Sequence, residues 1–108
     1  MRKETKLIVT AFLTGKAATA ARTKTDGTTL FLLNNPIAWH EKGGTIAMTL
    51  AGWPTPTTRE RLNGLCELAI GKRPFGQEHY DQRFNGDFIT ANDIVSIYPV
   101  RLRCTTKP

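Results

Sequence analysis

The sequence predicts an α+β fold, a small antiparallel sheet of about four to five strands packed against one central helix. Three observations carry that expectation. Several short, β-branched apolar segments are separated by Gly- or Asn-containing turns. One stretch, Thr57 to Ala69, repeats its apolar residues at helical spacing. A length of 108 residues supplies one core and not two, so residues 1–108 are read as a single α+β domain.

At the N-terminus, Leu7-Ile8-Val9-Thr10-Ala11-Phe12-Leu13 is β-branched and aromatic, follows a charged start and stops at Thr14-Gly15, which predicts a strand buried on both faces. From Lys16 to Asp26, Ala and Thr alternate around Lys16, Arg22 and Lys24, a pattern that suits either a mobile basic loop or an edge strand with its charges in water. Asp26-Gly27 turns the chain into a strand over Thr28 to Leu33. Asn34-Asn35-Pro36 breaks it, Ile37 to Glu41 resumes an extended pattern, and Lys42-Gly43-Gly44 turns again. In Thr45 to Leu50, Ile46, Met48 and Leu50 share one face, the period of a half-covered strand. The connections are too short for parallel crossovers, so these segments form an antiparallel meander.

Gly52-Trp53-Pro54 marks the seam between sheet and helix. Pro54 and Pro56 keep the chain extended, and Thr57 is placed to cap a helix, with Glu60 completing a Thr-x-x-Glu capping box. Leu62, Leu65, Cys66, Leu68 and Ala69 form the buried stripe, leaving Arg59, Arg61, Asn63 and Glu67 to face out. Gly64 costs about 1 kcal/mol of helix propensity relative to Ala, which close packing against the sheet would offset. Gly71 and Pro74 stop the helix. Lys72 to Asn85 reads as a polar loop, Asn85-Gly86 as a turn, Asp87-Phe88-Ile89 as a short strand, and Ile94 to Val100 as the last strand before a basic tail with Arg101, Arg103 and Lys107.

Fifteen Lys and Arg against nine Asp and Glu give a formal charge of +6 and a pI near 9.8, a field that attracts polyanions. Cys66 and Cys104 form neither a CxxC pair nor a zinc-like cluster, which fits a reduced, cytoplasmic protein with Cys66 as a small buried apolar residue. No segment has the form of a signal peptide or approaches the roughly 20 apolar residues of a membrane span. Gly43-Gly44 lies between strands and Gly71 follows a helix, so neither a P-loop nor a dinucleotide fingerprint is present. His40 beside Glu41 and His79 beside Glu78 point to opposite faces of extended chain, and His40, His79, Glu78 and Asp81 lack metal-ligand spacing. No catalytic residue, no metal and no cofactor is expected.

The binding candidates are basic and aromatic. Arg59 and Arg61 at the helix start, joined by Lys72 and Arg73, could face phosphate; the opposing reading is a solvated helix face paired with Glu60 and Glu67. Phe75, Tyr80 and Arg83, interleaved with His79 and Phe84, offer planes and cations to single-stranded nucleic acid, or simply pin a loop to the core. Trp53 is read as a staple between helix and sheet in preference to a stacking surface.

Thr25-Asp26-Gly27-Thr28-Thr29-Leu30, Asn35-Pro36-Ile37-Ala38-Trp39 and above all Leu50-Ala51-Gly52-Trp53-Pro54-Thr55-Pro56-Thr57-Thr58-Arg59-Glu60-Arg61-Leu62-Asn63 resemble small uncharacterised proteins encoded by tailed bacteriophages. The resemblance covers the central half of the chain, implies a phage or prophage origin, and carries over no catalytic residue. The leading expectation is a non-enzymatic binding module in the cytoplasm of the host bacterium. It would engage nucleic acid or a nucleoprotein complex through Arg59, Arg61, Lys72 and Arg73. The alternative is a protein inhibitor of a host enzyme or defence complex, with an acidic host protein as partner and an edge strand or the Phe75 to Phe84 segment as its contact. An exposed edge strand would also allow a homodimer. A hydrolase built on His40 or His79 with a carboxylate ranks last.

Overall fold

Thr5, Ile8, Val9 and Phe12 fall on one stripe of a helix, and that spacing overrides the β-branched composition of the N-terminal segment. In the computed structural model, which describes residues 1–99, the segment is an α-helix over Lys3–Leu13 and not the strand expected over Leu7 to Leu13. Leu7 is 54% exposed while Ile8, Val9 and Phe12 have no exposed surface, a one-sided burial that a strand covered on both faces would not show. At its end Gly15 adopts φ 75, the Thr14 hydroxyl donates to the Thr10 carbonyl, and His40 Nε2 donates to the Phe12 carbonyl at 2.8 Å. The His40 ring stacks on Phe12 at 4.3 Å, so this histidine serves as a helix cap.

The described elements run α1 (Lys3–Leu13), β1 (Ala18–Ala20), β2 (Thr23–Thr25), β3 (Thr29–Leu32), β4 (Asn35–His40), β5 (Ile46–Thr49), α2 (Pro56–Ile70), β6 (Phe75–Glu78), β7 (Asp81–Phe84), β8 (Asp87–Ile89) and β9 (Ile94–Ile97). The fold is mixed α and β, but larger in both components than four to five strands on one helix. Six strands in the order β1-β2-β3-β4-β5-β9 form one antiparallel sheet, and β6-β7-β8 form a second. The Lys16 to Asp26 stretch therefore supplies an edge strand and its neighbour, while the meander expected from Thr28 to Leu50 is present as β3-β4-β5. Val100 and the basic tail with Arg101, Arg103, Cys104 and Lys107 lie outside the described residues.

Leu30, Leu32, Ile37, Ala38, Ile46, Met48 and Ile97 from the large sheet meet Ile8, Val9 and Phe12 of α1 and Leu62, Leu65, Cys66 and Ala69 of α2 in one core. β5 is more enclosed than its alternation suggests, because Ala47 and Thr49 are buried along with Ile46 and Met48. Each large aliphatic side chain withdrawn from water in this core contributes about 1.5–3 kcal/mol.

Helix α2 begins two residues earlier than its Thr-x-x-Glu pattern indicates. Thr55 is the N-cap, its side chain accepting from the Thr58 amide at 3.2 Å, and Pro56 occupies the first turn, where a missing N–H costs nothing. Glu60 is thereby freed from capping. At the other end Gly71 adopts φ 77 and its N–H reaches the carbonyls of Cys66 and Glu67. Gly64 packs against α1 instead of the sheet: a Cβ there would lie 2.5 Å from Thr5 Cγ2.

The segment Lys72 to Asn85 is not a loop; β6 and β7 pair through it. Phe75 and Phe84 face each other across the strands at 5.0 Å, edge to face. Buried Asn63 of α2 holds the first strand by both backbone groups of Phe75, donating to its carbonyl at 2.9 Å and accepting from its amide at 2.8 Å. Arg59 Nη1 bridges the Pro54 carbonyl and Gln82 Oε1, fixing β7 to the start of the same helix.

Two outcomes follow from this packing. Gly64→Ala should lower stability by about 1–2 kcal/mol in denaturant melts despite its better helix propensity, because Thr5 is hydrogen-bonded and cannot swing away. Burial pushes the Cys66 thiol up to about 12, with Arg73 pulling weakly the other way, so iodoacetamide at neutral pH should label Cys66 only when denaturant opens the core. Mass spectrometry of the Cys66 peptide reads that result.

Candidate functional site

The basic residues singled out by the sequence do not converge on one exposed patch. Arg61 is 1% exposed: its Nε donates to Thr23 Oγ1 at 3.0 Å, its Nη1 to Thr5 Oγ1 at 2.8 Å and to Glu60, and its Nη2 to the Ala21 carbonyl at 3.4 Å. The expectation that Arg61 and Asn63 face out is corrected by this burial, since both spend their polar atoms on tertiary bonds. Arg59 is half-buried and bonded to Pro54 and Gln82, and Arg73 is exposed but paired with Glu67. Lys72 is exposed beside it. Phe75 is buried in the core. Arg83 lies over the Phe88 ring at 3.8 Å and pairs with Glu78 at 3.1 Å, while Tyr80 stands 96% exposed at the tip of the β6-β7 turn.

What the fold does bring together is a set of tight turns at one end of the large sheet. Ala21-Arg22 joins β1 to β2 and Leu33-Asn34 joins β3 to β4, with both central residues of each turn at positive φ: 48 and 65 in the first, 50 and 69 in the second. Ala51-Gly52 makes a third such turn after β5, closed by the Trp53 amide donating to the Leu50 carbonyl at 2.8 Å. The first two are tied side by side, Leu33 N–H donating to the Arg22 carbonyl at 2.9 Å. Turns of this hand match sheet twist and normally use Asn-Gly, the pair found at Asn85-Gly86 between β7 and β8. Ala21, Arg22, Leu33 and Ala51 are costlier choices there, of order 1 kcal/mol each.

These four residues border a single cleft of about 230 Å³. Leu32, Ile37 and Leu50 form its floor, Thr55, Thr57 and Thr58 at the start of α2 form one wall, and Trp53, Leu33, Arg22 and Asn35 complete the lining. Trp53 is 53% exposed and Leu33 50% exposed, so both stand at the rim of the cleft, Trp53 at the seam where the sequence placed a staple between helix and sheet. No acidic residue lines the cleft. Among the described residues the Arg22 guanidinium has no hydrogen-bond or ion-pair partner, in contrast to Arg59, Arg61, Arg73 and Arg83. Sequence reasoning ended a strand at Leu33, left Lys16 to Asp26 as a loop or an edge strand, and missed this candidate site, because nothing local marks Leu33 or Ala51 as left-handed.

Beside Arg61, burial alone would raise the Glu60 carboxyl, but hydrogen bonds from Thr5 and Arg61 outweigh it and hold the group below its ordinary value. Asp26, on the surface, is brought down to about 2 by the amides of Thr28 and Thr29 and the Thr28 hydroxyl. His40 and His79 lie on separate sheets, and among the described residues no group of three His, Cys, Asp or Glu is arranged to hold a metal ion. Among the same residues no helix is long and apolar enough to cross a membrane.

A two-layer mixed α and β domain with a turn-rimmed cleft is the class of protein that the geometry defines. The family model of the Kyanoviridae Gp96 protein matches residues 1–98, and the chain belongs to that phage protein family. No curated protein and no solved structure matches it.

Arg61→Ala should cost about 3–5 kcal/mol in equilibrium unfolding, because it removes the cation paired with Glu60 and the donors that the Thr5 and Thr23 hydroxyls accept from in the core. The lowered carboxyls of Glu60 and Asp26 add stability that is present above the ordinary carboxylate range and lost as pH falls through their folded values. Denaturant midpoints should therefore drop as pH is taken from about 5 toward 2. In Glu60→Gln that drop should be shallower.

Proposed function

We propose that this phage protein is a non-enzymatic binding module that docks a protein partner through the cleft between Trp53, Leu33 and the start of α2. The observation that carries the reading is the choice of residues in the three turns. Ala21, Arg22, Leu33 and Ala51 occupy left-handed positions where Asn or Gly would be more stable, and all four border the same cleft. Four such positions around one concavity, with a half-exposed Trp and Leu on its rim, are how a small domain presents interface anchors.

A protein partner suits the surface better than nucleic acid. Arg61, Arg73 and Arg83, three of the residues expected to face a polyanion, are each paired with a carboxylate. The cleft itself is lined mainly by aliphatic and indole groups, which anchor a side chain more readily than a phosphate backbone.

Leu33→Asn tests the reading, since it relieves the turn while removing a rim contact. Its thermal midpoint should rise, by the equivalent of about 1 kcal/mol. Capture of a defined protein band from phage-infected host lysate should fall by at least roughly tenfold in Leu33→Asn and in Trp53→Ala, equivalent to about 1.4 kcal/mol. Undiminished capture by both variants would remove the cleft from the function.

A further inference from the structure

Resting on the docking role proposed for the cleft, we infer that its occupant is a peptide segment presenting one apolar side chain directly beside a carboxylate. Size and charge carry the inference together. A volume of about 230 Å³ falls short of the roughly 300–1,000 Å³ of sites that enclose a whole small-molecule ligand, and suits one side chain inserted from a larger partner. Leu32, Ile37 and Leu50 form an aliphatic floor for that side chain, and the Trp53 indole forms a wall against which an aromatic or branched group can pack.

Every formal charge on the lining is positive. Among the described residues Arg22 is its one ionised residue, and no carboxylate of the lining opposes it. The guanidinium is unpartnered among the described residues, whereas the arginines that serve the fold are already bonded. The backbone that carries it is held from behind: the Arg22 carbonyl accepts from Leu33 N–H, and the neighbouring Ala21 carbonyl accepts from buried Arg61. The turn therefore holds a planar, two-pronged donor at the mouth of an apolar cavity, a geometry that selects a carboxylate over a neutral amide. The first turn of α2, which supplies Thr57 and Thr58 to the opposite wall, reinforces that sign.

The test uses the full chain, labelled with ¹⁵N, and the matched probes acetyl-Glu-Phe-Glu-amide and acetyl-Gln-Phe-Gln-amide. The acidic probe should shift the amides of Ala21, Leu33 and Ala51 and the Trp53 indole N–H, and bind at least about fivefold more tightly than its neutral twin. Arg22→Gln should erase that preference, as should raising the salt to about 0.5 M, because the pair is exposed. Equal binding of both peptides, absence of shifts at the cleft, or displacement of the peptide by a short oligothymidylate that binds there more tightly would each overturn the carboxylate assignment. Those failures remain separable from failure of the docking role, which is read independently by the dependence of lysate capture on Trp53.

Discussion

The buried guanidinium of Arg61 is the interaction on which the architecture turns. It lies on α2, yet its donors reach Thr5 on α1, Thr23 on β2, the Ala21 carbonyl in the β1-β2 turn and the carboxylate of adjacent Glu60. A charge this deep is tolerated only when paired and hydrogen-bonded, and a guanidinium is suited to the task because its donors radiate in one plane toward several elements. Gly64 belongs to the same arrangement: without a side chain it lets Thr5 approach α2 closely enough for the Thr5 hydroxyl to take part. The first helix, which the sheet alone would hold only through Ile8, Val9 and Phe12, is thereby fixed in register as well as buried.

That network also connects core to cleft. Ala21 and Arg22 sit in a conformation that disfavours their side chains, and the turn persists because its carbonyls are held from two directions, by Arg61 and by Leu33 N–H. A strained turn that is anchored on both sides keeps its backbone fixed, which reduces the ordering entropy to be lost when a partner binds. On the opposite flank of α2, Asn63 and Arg59 do comparable work for the small sheet, using hydrogen bonds where a three-stranded element has little apolar area of its own.

The parts of the fold legible in the sequence are those written in local chemistry. The β3-β4-β5 meander follows from turn residues and alternation, the end of α2 from Gly71, and the burial of Cys66 from its place in the apolar stripe. The N-terminal helix was hidden because a seven-residue apolar run satisfies a buried strand and a helix face alike, and the charged residues before it, which complete the helix, look like a flank. β6 and β7 were hidden for a different reason: their pairing depends on Asn63, which bonds Phe75 from 12 residues away. The candidate site was least legible of all. Basic residues near a helix start read as phosphate ligands until tertiary structure shows Arg61 turned inward, and left-handed Leu33 and Ala51 are silent in one dimension.

Net charge bears on a partner only through where the charges lie. A formal +6 suggests a polyanion partner only if the charges share a surface, and here several of them are committed to structure. Arg61 organises the core beside Glu60 and Arg83 pairs with Glu78 while stacking on Phe88, so each of these charges is offset locally, and Arg59 is tied to α2 and β7 through the Pro54 carbonyl and Gln82. Arg22 is different because its backbone is constrained while its guanidinium, among the described residues, is unpaired beside an apolar cavity. A single oriented cation beside a side-chain-sized pocket discriminates between partners more sharply than a diffuse positive surface, since it requires one carboxylate and one apolar group at a fixed spacing.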